Sequence, residues 1–153
     1  MEKILLFFMQ GIPEITGVVA FGLALVRVPL RWRIVTATGT VLTIIIYVIR
    51  SVQITFGIHM VMVILLLAVF IIKTTRITAM NSFFAAIASF TTLATLEFVI
   101  IKLFLLITKL DQQVFVSNEL LWKLVGLPQA ILMILFALII SKYKAPDRDA
   151  WRI

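Results

Sequence analysis

Few residues in this sequence are equipped for chemistry, and most of those are set in long apolar runs. The 153 residues include one histidine, His59, and no cysteine. Disulfides, thiolate metal sites and cysteine nucleophiles are therefore excluded. A single histidine cannot supply a bis-histidine haem, and a zinc site built on it would need carboxylates as its other ligands. No glycine-rich phosphate loop, HExxH or GxSxG occurs. What remains to be weighed in or beside the apolar runs is the carboxylates of Glu14 and Glu97, the guanidinium of Arg50, the amides of Gln53 and Gln129, the imidazole of His59 and the ammonium of Lys102. This set contains no nucleophile with its base. The chemistry it suits is binding by charge and hydrogen bonds, so the expectation is no enzyme and no cofactor.

The elements that must position these groups follow from composition. Hydrophobic residues make up 63% of the chain and charged ones 14%, and mean hydropathy is +1.18. Soluble domains run near 45–50% apolar and about 25% charged, so most of this surface must face lipid. Five apolar segments stand out, at residues 4–26, 34–49, 54–72, 79–108 and 120–140. Their continuous apolarity fits helices and lacks the period-two alternation of a membrane barrel. The fold class expected is therefore all-α, a polytopic helical bundle of about five transmembrane helices over 1–141, with a short charged tail at 142–153. The run after Met1 lacks a small-residue cleavage site and contains Gly11, Pro13 and Glu14, so it reads as a retained first span rather than a signal peptide. Segment 34–49 is short, which puts Trp32 and Tyr47 at the two interfaces. Segment 79–108 is long enough to tilt or to split into a re-entrant pair.

Charge sets the orientation. The net charge is +7, from 14 Lys and Arg against 7 Asp and Glu. In a polytopic chain this reads as basic cytoplasmic loops touching membrane lipid, with no nucleic acid as partner. With the N-terminus outside and the C-terminus inside, nine basic residues fall on the inner side: Arg27, Arg31, Arg33, Lys73, Arg76, Lys142, Lys144, Arg148 and Arg152. Five fall on the outer side, Lys3, Arg50, Lys102, Lys109 and Lys123. Arg27, Arg31, Trp32, Arg33, Lys73 and Arg76 are the inner-face residues that set topology and meet lipid headgroups.

Ionisable groups at membrane depth are costly, and they pair, face a bundle interior or line a wet cavity. In this orientation Glu14, Arg50, Gln53, His59, Glu97 and Lys102 all lie in the middle or outer half. Three readings stay open. Glu14 or Glu97 pairs with Arg50 merely to close the bundle; the groups line an outward-opening pocket; or the two carboxylates form an ion or proton relay. A Gly-x-Pro-polar step recurs as GIPE at 11–14 and GLPQ at 126–129. Kinks at Pro13 and Pro128 at matched depth would splay two helices and place Glu14 and Gln129 on the wall of a pocket. Gly17 and Gly22, with Ala85, Ala86, Ala88 and Ser89, read as generic close helix packing. Thr36, Thr38, Thr40 and Thr43 can satisfy their hydroxyls on their own helix.

Taken together, GIPE, the basic VPLRW at 28–32, Tyr47-x-x-Arg50, ITFGIH at 54–59, Glu97 and GLPQ resemble the multi-span N-terminal sensor regions of Agr-type peptide-sensing histidine kinases of Gram-positive, clostridia-like bacteria. The resemblance spans most of the chain, with short motifs set in apolar sequence. It implies an outward-facing sensor in the cytoplasmic membrane, read on the inner side. The sequence departs from that pattern in having no dimerisation helix, phosphoacceptor histidine or ATP-binding segment, and His59 is expected at the outer face. The cysteine protease of such systems is excluded too. The expectation is a membrane sensor that binds a peptide or small molecule from outside and signals through a partner membrane protein or kinase, or as a homo-oligomer. The alternatives are a small oligomeric transporter or channel with Glu14 and Glu97 on its path, and a scaffold subunit of a larger membrane complex.

Overall fold

The computed structural model describes residues 2–52, 56–109, 111–117, 119–144 and 151. They form six helices: α1 (Glu2–Leu25), α2 (Trp32–Ser51), α3 (Phe56–Thr74), α4 (Ala79–Thr108), α5 (Gln112–Ser117) and α6 (Glu119–Tyr143). The described residues contain no strand, only an isolated antiparallel bridge between Thr75 and Trp151. Four helices, α1, α2, α4 and α6, are long and apolar enough to cross a membrane, which makes this a multi-pass helical membrane protein in contact with lipid. The 19-residue α3 is shorter but also apolar. Residues 79–108 form one unbroken 30-residue helix and not a re-entrant pair. The stretch 109–119, expected as a loop, contains the short helix α5.

Helix α1 is the axis of the bundle and packs against α6, α2 and α4. From Ile15 to Ala24 it is buried on every side, the pattern of a helix surrounded by others. Lipid tails give helices little hydrophobic reason to associate, so close approach through small residues has to hold them. A Cβ at Gly39 of α2 would sit 2.9 Å from the Thr16 Cα and 3.0 Å from its amide nitrogen. A Cβ at Gly17 would come within 2.9 Å of the Met133 Cβ, and one at Gly22 within 2.9 Å of the Ser89 Oγ. Gly126 of α6 is in the same way closed off by the Gln10 side chain. The pairs Gln10–Gly126 and Gly17–Met133 are equally spaced in sequence, so α1 and α6 run parallel and in register.

The last turns of α1, α3 and α6 meet at one end of the bundle. The Trp151 indole Nε1 donates to the Pro29 carbonyl at 2.7 Å, and Lys144 Nζ donates to the Leu25 carbonyl at 3.4 Å. The Arg31 guanidinium lies 5.5 Å from the Trp151 ring centroid. Arg27, Arg31, Arg33, Lys73, Arg76, Lys142 and Lys144 all belong to this basic end. Trp32 and Tyr47 stand at opposite ends of α2, as interfacial anchors would. Trp151, in the charged C-terminal stretch, is buried against the α1–α2 and α3–α4 connections.

Candidate functional site

Opposite the basic end, four helices each give one stripe to a common cavity of about 460 Å³. α1 contributes Phe7, Gln10, Gly11, Glu14 and Ile15, and α2 contributes Thr43, Ile46 and Arg50. Met60 and Val63 come from α3, and Phe90, Leu93 and Glu97 from α4. Within each helix these positions recur at three- and four-residue intervals, so each set occupies one face. Glycine at position 11 matters here, since a Cβ would come within 2.9 Å of Thr43 Cγ2 and crowd the wall between α1 and α2.

Glu14, Arg50 and Glu97 thus converge from three separate helices on one space. Gln10 Nε2 donates to Glu14 Oε2 at 3.3 Å, one helical turn away. The Arg50 guanidinium lies 5.3 Å from the Phe7 ring centroid, within range of a cation–π attraction, and its charge also reaches Glu97. Phe7 also meets Phe8 edge-on and Tyr47 at a tilt, with ring centroids 5.5 Å apart in this aromatic cluster. Lys102 does not line this cavity, and its Nζ lies 4.9 Å from the Phe98 ring centroid on its own helix.

Gln129 is buried and lies behind the main cavity. With Gln10, Glu97, Ile101, Val125 and Gly126 it encloses a void of about 10 Å³, roughly the space of one water molecule. Pro13 and Pro128 lie inside continuous helices. At their depth α1 and α6 stay in contact through Gln10 and Gly126, so the large cavity faces α2, α3 and α4 instead of opening between two splayed helices. Gln53 and the side chain of His59 lie outside the described residues.

Two polar lining residues, Gln10 and Thr43, and the apolar lining were not singled out from the sequence. Gln10 stands one turn before Glu14, and that spacing was the available signal. Thr43 bonds its own helix, with Oγ1 donating to the Gly39 carbonyl at 2.7 Å, as expected of the threonine-rich stretch, yet it also lines the cavity. The described residues contain no cluster of three or more His, Asp or Glu able to hold a metal. The set can hold a positive group between Glu14 and Glu97, a negative one at Arg50, and an apolar body against Phe7, Met60, Phe90 and Leu93.

Fold and cavity together define a multi-pass helical membrane protein with a charged pocket in one half of the bundle. Neither a protein-family model, nor a curated protein, nor a solved structure matches the chain.

Proposed function

We propose that this chain is a five-span protein of the cytoplasmic membrane, N-terminus outside and C-terminus inside. In this reading it binds a small or short peptide-like ligand from outside and passes a helix shift inward to a partner. One observation carries it: Glu14, Arg50 and Glu97 come from three helices to one cavity of about 460 Å³, inside the usual 300–1,000 Å³ range of small-molecule sites. Helix α1 joins the two ends, since its first half walls the cavity and its last turn is held by Lys144 and by the connection that Trp151 covers. The resemblance to Agr-type sensor regions points the same way. The ligand class is amphipathic, with an amine or other cation for the carboxylates and an apolar body.

One feature favours binding over conduction. Below the cavity the axis is packed with Val18, Val19, Leu23, Leu67, Ile71 and Met133, and no charged side chain is buried there among the described residues. The reading is tested by screening short amphipathic peptides and aliphatic amines for thermal stabilisation of the purified protein. At least one compound should stabilise wild type and lose its effect on Glu97→Gln. Proteoliposomes should carry no ion flux. A pH-dependent flux abolished by Glu97→Gln would replace this account with a transporter.

A further inference from the structure

A second cavity, of about 380 Å³, lies at the basic end between the last turn of α1 and the first turns of α4. Its rim is polar, formed by Arg27, Asn81 and Lys144, and its floor is apolar, formed by Leu25, Val26, Ile77, Phe84, Ala85 and Ala88. Phe84 is a large side chain left 75% exposed beside it. Two cations on the rim of a groove that continues as bare hydrocarbon-facing helix match one kind of occupant, a molecule with an anionic head and an acyl tail. The first turn of α4 adds the positive end of a 30-residue helix to the same rim.

The backbone at Arg27 is an independent observation. Arg27 has φ 61°, the left-handed conformation. Its amide donates to the Ala24 carbonyl at 3.2 Å, and the Val28 amide donates to the Leu23 carbonyl at 2.9 Å. This pair of bonds is the Schellman ending of a helix, in which the left-handed position favours glycine. The same left-handed ending at α4 carries Lys109, but only at Arg27 does it set a cationic side chain on the rim of a groove.

We propose that this groove is a binding site for one anionic phospholipid of the adjoining leaflet. Arg27 and Lys144 take the phosphate, Asn81 supports it, and an acyl chain lies along Phe84, Ala85 and Ala88. Lys144 already donates one hydrogen bond to the Leu25 carbonyl, so a lipid held there is tied directly to the end of α1. The site is specific, unlike the general attraction of anionic lipid to Arg33, Arg76 and the other exposed basic residues of this end.

Native mass spectrometry of the full chain, titrated with dioleoyl phosphatidylglycerol or dioleoyl phosphatidylcholine, tests the proposal. Wild type should retain one phosphatidylglycerol in preference to phosphatidylcholine. Arg27→Gly and Lys144→Gln should each weaken phosphatidylglycerol binding about fivefold, and Arg76→Gln should leave that bound lipid in place. Ala88→Trp, which fills the groove but keeps both cations, should displace it, whereas free glycerol phosphate should not compete. Because glycine suits the left-handed position, Arg27→Gly should not lower the unfolding temperature of lipid-free protein, which separates lipid loss from misfolding. Equal losses from Arg27→Gly and Arg76→Gln, or no preference between the two lipids, would overturn the assignment.

Discussion

At Gly39 the difference between a hydrogen and a methyl group decides whether α1 and α2 can meet. The atoms that a Cβ would strike include the Thr16 backbone, which cannot swing aside. Overpacking of this kind costs about 1–3 kcal/mol, so Gly39→Ala should lower stability by about 2 kcal/mol in reversible unfolding. Gly57, near the start of α3, has nothing within 4 Å of its Cβ position. Gly57→Ala should be neutral or stabilising by up to about 1 kcal/mol; equal losses at both glycines would mean that α1 and α2 do not meet at Gly39. Single residues were also where the cavity was most legible. Glu14, Arg50 and Glu97 stand out because a charge inside an apolar run is costly and must be used. Gln10 and Thr43 do not, because a neutral polar group can be satisfied within its own helix, as the Thr43 hydroxyl is.

For whole elements, apolar length was enough to place the membrane helices, and their ends were less legible. Segment 34–49 became Trp32–Ser51 and segment 120–140 became Glu119–Tyr143, because polar residues such as Arg33, Arg50 and Lys142 continue a helix whose backbone bonds are already running. The place of Trp151 was not legible at all. A lone tryptophan among charged residues gives no periodic signal, yet Trp151 anchors two connections through Pro29 and Thr75. Truncating a buried tryptophan costs about 3–5 kcal/mol. Trp151→Ala should therefore lower stability by about 3 kcal/mol and speed hydrogen exchange at Val28 and Leu30. An unchanged exchange pattern would show that Trp151 does not hold the α1–α2 connection.

For the whole molecule, the proposed topology has five alternating spans with the shared basic end of α1, α3 and α6 in the cytoplasm, the side that charge asymmetry favours. The chain has no cysteine, so single introduced thiols can be read without background. Gln113→Cys should label from outside intact cells and Arg76→Cys only after permeabilisation; labelling of both from one side would refute the topology. The 30-residue α4 is roughly 45 Å long at 1.5 Å per residue, more than a hydrocarbon core of about 30 Å. Its last turn, with Leu106 and Ile107 over three-quarters exposed, must tilt or project at the same end as the cavity. The central claim is that the space among Glu14, Arg50 and Glu97 is a binding site. Its most direct test is a binding isotherm for the best amphipathic peptide or amine on wild type, Glu97→Gln and the cavity-filling Met60→Trp. Affinity should fall tenfold or more in both variants, a loss of at least about 1.4 kcal/mol. Equal affinity in all three proteins would place the ligand elsewhere and contradict the account.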